Sequence, residues 1–280
     1  MTWLVSTDWL ADHLKAPDIA IMDATWHLPN AGRNAKAEYE AERIPGAHFF
    51  DIDEISDTES PYPHMLPSPE KFASRMRKLG IGDGKRVIIY DSYGLFSAAR
   101  VWWMFRVFGK EDVAILNGGL KKWLSENRPT EDGPPRPTQE RHFTARYNAM
   151  MVHDREEMLQ ALAKGTQIAD ARSAGRFSGT DPEPRAGLRS GHMPGAKNLP
   201  FNILLNEDGT VKSPDEIRAA FLAAGIDPAK PIITSCGSGV TAAVLSLGLA
   251  EIGASKHALY DGSWAEWGSD ESLPLATGTE

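Results

Sequence analysis

The chain has 280 residues, 41% hydrophobic and 24% charged, the composition of an ordinary soluble globular protein with material for one large core or two ordinary ones. Its formal net charge of −8 argues against broad electrostatic attraction to nucleic acid or to an anionic membrane, although a local basic pocket remains compatible with it. No run approaches the length of a bilayer span and no basic region leads into an apolar stretch at the N-terminus, so the expected location is cytoplasmic. The one cysteine, Cys236, cannot form an intrachain disulfide, which fits a reducing compartment and leaves no resolving thiol.

In chain order, four blocks come first: IAIMDATW from Ile19, RIPGAHFFD from Arg43, KRVIIYDSYG from Lys85 and AILNGGLKKW from Ala114. A polar, proline-rich stretch without periodicity follows, NRPTEDGPPRPTQERHFTARYNAM, which reads as a linker. The blocks then return in the same order as TQIADARS, GHMPGAKNLP, KPIITSCGSG and ALYDGSWAEW. They align Asp23 with Asp170, Pro45 with Pro194, Asp91 with Cys236 and Trp123 with Trp267, at offsets of 147, 149, 145 and 144. Conserved order and spacing imply two copies of one domain. The expected division is a first domain over 1–130, a linker over 131–149 that wraps from one domain to the other, and a second domain over 150–280.

Within each copy, short β-branched runs precede longer amphipathic patterns, as RVIIY precedes SAARVWWMFRVFG and PIITS precedes TAAVLSLGLAEIG. That alternation predicts an α/β domain with a mostly parallel sheet flanked by helices. Trp102, Trp103, Trp264 and Trp267 are expected in the core rather than in a binding pocket.

Cys236 falls where the strand IITS ends and the helix ended by Gly253 begins, beside unpaired N–H groups and the positive end of a helix dipole. Such a place favours thiolate over thiol. Gly237 and Gly239 permit the dihedrals that let successive N–H groups converge on an anion. A small buried hydrophobe is the ordinary alternative for a lone cysteine. The first copy argues against it, because Asp91 stands in the same place and the fold therefore does not require cysteine there. A P-loop is set aside for want of the lysine and serine or threonine it needs after its last glycine, and a cysteine phosphatase, the third rival, is disfavoured by Ala242, where a phosphate-binding arginine would be expected.

These residues resemble the tandem rhodanese-domain sulfurtransferases, with an inactive first domain and an active second one. The loop CGSGVT, formed by Cys236, Gly237, Ser238, Gly239, Val240 and Thr241, is similar to that of the 3-mercaptopyruvate branch. Thiosulfate-using members are expected to carry basic residues where Gly237 and Ser238 stand. RIPGAHFFDIDEISD, SPYPHMLPSPEKFA, GRFSGTDPEPR, SGHMPGAKNLPF and YDGSWAEWG extend the resemblance over nearly the whole chain.

The resemblance implies that Cys236 takes sulfur from 3-mercaptopyruvate as a persulfide, releases pyruvate and passes the sulfur to an acceptor such as thioredoxin, a small thiol or cyanide. It implies no metal and no organic cofactor. Ser238, His64 and Asp53 resemble the family's proton relay, which would place the catalytic site between the domains. Arg176 and Arg185 resemble its substrate-binding arginines; two surface arginines paired with Asp181 or Glu183 are the alternative. A thiosulfate sulfurtransferase is the nearest rival function, and a non-catalytic rhodanese-like module for binding or oxidant sensing is the rival from another class.

Overall fold

A computed structural model describes residues 3–278. The chain divides into two compact units, one made of 1–57, 66–148 and 206–211, the other of 58–65, 149–205 and 212–280. The first unit holds β1 (Leu4–Val5), α1 (Thr7–His13), β2 (Ile19–Asp23), α2 (Ala35–Ala41), β3 (Ala47–Phe49), α3 (Pro69–Lys78), β4 (Arg86–Tyr90), α4 (Ala98–Val107), β5 (Val113–Leu116) and α5 (Gly119–Ser125). The second holds β6 (Val152–His153), α6 (Arg155–Ala163), β7 (Gln167–Asp170), α7 (Ala174–Ser178), β8 (Lys197–Asn198), α8 (Pro214–Ala223), β9 (Ile232–Ser235), α9 (Ala242–Glu251), β10 (His257–Tyr260) and α10 (Ser263–Trp267).

Among the described residues, each unit contains one five-stranded sheet, in the orders β1-β5-β4-β2-β3 and β6-β10-β9-β7-β8, with every strand pair parallel. Position for position these are one topology. The registers agree as well: Asp23 sits opposite Tyr90 and Asp170 opposite Ser235, at equivalent places in the two copies. The expected parallel α/β architecture is present in both.

Local sequence explains the helix starts. Ser68 and Ser213 each precede a proline and accept a hydrogen bond from the backbone three residues on, and Glu216 closes a capping box on Ser213. The central helix α9 has almost no polar face: residues 242–249 are all buried, and its Ser246 hydroxyl is satisfied by Thr234 Oγ1 at 2.9 Å. Gly248 keeps the helix close to its neighbours, because a Cβ there would lie 2.8 Å from Leu204 Cδ1. Burial on all sides explains why the amphipathic period is weak in this segment. The four tryptophans expected in the core are buried, and Trp123 and Trp267 donate in the same way to Pro129 and Pro274 carbonyls, both at 2.8 Å.

Two stretches depart from a simple division along the sequence. The presumed linker, as far as Asn148, belongs to the first unit. Glu131 exchanges backbone hydrogen bonds with Arg43, whose buried guanidinium donates to Gly133 O at 2.7 Å, while Thr144, Arg146 and Asn148 hydrogen bond to Asp83, Phe108 and Val107. The first unit also includes 206–211, where Val211 N donates to Asn117 Oδ1 and Glu207 O accepts from Lys121. Residues 58–65 belong to the second unit and bring His64 with them. No helix among the described residues is long and apolar enough to cross a membrane.

Candidate active site

Cys236 is the first residue after β9 and is buried. Its backbone is fixed on two sides: its N–H donates to Ser263 Oγ at 3.3 Å, and its carbonyl accepts from Trp264 N at 2.9 Å. The loop then turns through Gly239, whose φ of +75° suits a residue without Cβ, before α9 begins at Ala242. Val240 is buried beneath this turn, and Thr241 is the N-cap of α9.

The first unit shows where the N–H groups of this kind of loop point. Asp91, the counterpart of Cys236, accepts from Tyr93 N at 2.9 Å on Oδ1 and from Phe96 N and Ala98 N at 2.7 and 2.9 Å on Oδ2. Burial raises the Asp91 pKa, and these backbone donors oppose that rise. Ser238, Thr241 and Ala243 occupy the equivalent positions around Cys236. The loop of the first unit is thus a cradle for a carboxylate, and its sequence positions recur around Cys236 in the second.

Ser238 is buried and lies 3.0 Å, Oγ to Nδ1, from buried His64. His64 has φ of +64°, a left-handed conformation that a β-substituted residue adopts at a cost. Two residues 174 positions apart, paired in the expectation drawn from family resemblance, thus lie side by side. Asp53 is exposed in the first unit, where Oδ2 accepts from Trp26 Nε1 at 3.1 Å and its carbonyl accepts from Ser56 Oγ at 2.6 Å.

Arg176 projects from α7 and pairs with Glu183, with Nη2 2.5 Å and Nε 3.2 Å from Oε2. The ion pair raised as an alternative is present, yet it also aims the guanidinium at the loop: a Cβ on Gly237 would stand 2.8 Å from Arg176 Nη2. Glycine at 237 is what lets a cation approach the backbone beside Cys236. Arg185 is half-buried in the loop that follows α7.

Two features escaped the sequence reading. Behind Arg176, a fully buried Arg172 donates to both oxygens of Asp170, to Glu183 Oε1 at 2.8 Å and to Gly191 O at 2.9 Å, with its guanidinium 4.3 Å from the Trp264 ring centroid. Burial works against its charge, but Asp170 and Glu183 outweigh that and hold it protonated. The signal was present in DARS, where arginine stands two residues after an aspartate at a strand end. Ser263 is the second: it has φ of +48° and links Tyr260 O to Cys236 N through its hydroxyl. Gly119 holds the equivalent place at φ of +56°, and the contrast of GGL with GSW marks a serine retained against backbone preference.

Two α/β copies, only one of which carries a thiol at its strand-to-helix turn, define a tandem protein with a single thiol-bearing loop. A rhodanese-like domain model matches residues 6–126 and again 154–270, and the chain belongs to that family. It is 48% identical to a 3-mercaptopyruvate sulfurtransferase of Escherichia coli over 98% of both chains. It is also 46% identical to a bovine thiosulfate sulfurtransferase over 94% of this chain and 91% of that protein. The crystal structure of SseA from Escherichia coli, described as a 3-mercaptopyruvate sulfotransferase, superposes with a TM-score of 0.86 at 47% identity, covering 94% of this chain and 99% of that one.

Proposed function

We propose that the chain is a 3-mercaptopyruvate sulfurtransferase in which Cys236 carries the sulfur. The observation that carries this reading is the assembly around one loop: a thiol at the β9–α9 turn, Ser238 against His64, and the Arg176 guanidinium beside Gly237.

The Cys236 thiolate attacks the substrate's sulfur, and the C–S bond breaks with its electron pair passing to carbon, which leaves as the enolate of pyruvate. The substrate's thiol proton moves to that enolate, giving pyruvate and a Cys236 persulfide anion. Ser238 and His64 supply the path for the proton. Asp53 is kept as a member of this relay on family resemblance. The loop N–H groups, those of Gly237 to Thr241 among them, hold the thiolate and then the persulfide. Arg176 and Arg185 grip the carboxylate and keto oxygen; Glu183 occupies Nε and one side of Nη2, leaving Nη1 for the substrate. An acceptor thiolate then attacks the outer sulfur and regenerates Cys236. Thioredoxin or a small thiol fits this role, since the chain holds no second cysteine, and cyanide serves as a laboratory acceptor. The lone thiol suits a reducing compartment such as the cytoplasm.

Thiosulfate is the second donor to consider. It is a compact dianion, which gains from cationic side chains close to sulfur. Gly237 and Ser238 supply none, and Arg176 already occupies the space a long side chain at 237 would need. Thiosulfate turnover is therefore expected to be the weaker activity. Brief incubation with 3-mercaptopyruvate, followed by intact mass and a pyruvate assay, tests the reading. A gain of one sulfur atom, reversed by thiol and absent in Cys236→Ser, with matching pyruvate, supports it. An unchanged mass with sulfite release from thiosulfate replaces it with the rival donor. His64→Gln and Asp53→Asn, compared across pH, then separate proton transfer from substrate binding.

A further inference from the structure

The first unit contains a cavity of about 490 Å³ at the C-terminal end of its sheet, with Asp23, Thr25, Glu38, Glu42, Ser92 and Leu120 on its wall. The internal repeat shows what fills the same volume in the second unit. Thr25 N donates to Asp23 Oδ1 at 2.9 Å, as Arg172 N does to Asp170 Oδ1, so Thr25 is the counterpart of Arg172. Leu120 N donates to Asp91 O as Trp264 N does to Cys236 O, so Leu120 is the counterpart of Trp264. In the second unit a guanidinium is clasped between the Asp170 carboxylate, Glu183 and the Trp264 ring. In the first, the arginine is a threonine and the tryptophan a leucine, while the strand-end carboxylate remains.

Asp23 is 1% exposed, and its hydrogen-bond partners, Thr25 and Tyr90, are neutral. Burial, the largest influence, raises its pKa to about 6, so near neutral pH it is an ionised carboxylate with no ion-pair partner among the described residues. The cations that also line the cavity are engaged: Arg33 grips Glu38 with two hydrogen bonds of 2.8 and 2.7 Å, and Lys121 donates to Glu207 O at 2.7 Å. Glu42 adds a further negative charge to the wall.

We infer that this cavity is a second binding site, selective for a guanidinium or primary ammonium group held by Asp23, and separate from the sulfur-transfer loop. The group is either borne by a small molecule or presented as an arginine side chain of a polypeptide, and the chemistry of recognition is common to both. A planar guanidinium would donate to Asp23 as Arg172 donates to Asp170, with its face against Leu120.

Calorimetric titration of the full chain with methylguanidinium chloride tests this. Saturable one-to-one binding is expected, weakened at least tenfold in Asp23→Asn and lost in Thr25→Arg, which supplies the cavity with its own guanidinium. Sulfurtransferase activity should be unchanged in both variants and serves as the check that they fold. If Thr25→Arg does not fold, the Asp23→Asn comparison decides alone. An absence of saturable binding, equal affinity in Asp23→Asn, or equal binding of tetramethylammonium, which has no donors, would overturn the inference. An amidated Gly-Arg-Gly peptide assigns the source: tighter binding than methylguanidinium points to a protein's arginine, weaker binding to a free small molecule.

Discussion

Two loops in this molecule share a backbone plan and differ in the atom they surround. After β4, three backbone N–H groups converge on the Asp91 carboxylate, and after β9 the equivalent positions surround Cys236. Each loop passes through a glycine of positive φ, Gly94 at +109° and Gly239 at +75°. In the first copy the carboxyl group is built in and held by backbone hydrogen bonds, so the cradle is a structural feature. In the second the equivalent positions lie around the Cys236 thiol, which the proposed reaction would sulfurate and restore. A fold that must stabilise an anion at this turn can meet the need with a fixed carboxylate or with a chemically competent sulfur. The two loops differ at this position by one side chain, Asp91 against Cys236.

The largest effect expected comes from giving the second loop the first loop's residue. Cys236→Asp should lower pyruvate formation by at least about four orders of magnitude, because the nucleophile is gone. Its melting temperature should stay within a few degrees of wild type, because the cradle accepts a carboxylate. A large loss of stability would show that the two cradles are not interchangeable. The reverse lesion, Asp91→Ala, leaves three buried N–H groups unpaired and should cost about 3–5 kcal/mol in urea unfolding. Asp91→Asn, which keeps one acceptor oxygen, should cost less.

Another substitution probes the residue after Asp91 and Cys236, which is Ser92 in one copy and Gly237 in the other. Gly237→Arg should push Arg176 off the loop and raise KM for 3-mercaptopyruvate about tenfold, the worth of one charge-assisted contact. An unchanged KM would remove Arg176 from substrate binding.

The smallest effect concerns the strand-end aspartates. Asp170 is compensated by Arg172, whereas the Asp23 pKa is raised by burial from 3.8 to about 6. A raised carboxyl pKa means that the folded state holds the proton more tightly than the unfolded chain. The group therefore weakens the fold above pH 6 and ceases to do so as pH falls towards 4. Relative to Asp23→Asn, the wild type should gain about 1 kcal/mol between pH 7 and pH 5, read as the difference between the two stability profiles. Parallel profiles would show that Asp23 is not the group that titrates.

Much of the architecture was legible because it depended on local pattern. The β-branched runs, the capping serines before prolines and the fixed offsets between blocks specify two parallel α/β copies without reference to a neighbour. The thiol's place at a strand-to-helix turn was equally legible, since strand end, glycine turn and helix start are contiguous in CGSGVT. The loop over 58–65 was not, because nothing in SPYPHML announces that His64 will be buried 3.0 Å from Ser238 Oγ. Family resemblance suggested that pairing, whereas periodicity could not. The stretch 131–149 likewise reads as a polar linker wrapping between domains, while the backbone hydrogen bonds that tie Glu131, Arg146 and Asn148 to the first unit carry no sequence signature.

The sequence by itself thus determined the repeat, the fold class and the single thiol at its strand-to-helix turn, since each follows from residue type and short-range order. Only the tertiary structure decided that Arg176 stands over Gly237, that Ser263 holds the Cys236 backbone, and that a buried arginine backs one strand-end aspartate while the other faces a cavity. Those outcomes depend on which side chains distant in sequence share a few cubic ångströms. Packing and the pairing of buried charge settle such questions, and neither is written in any contiguous stretch of residues.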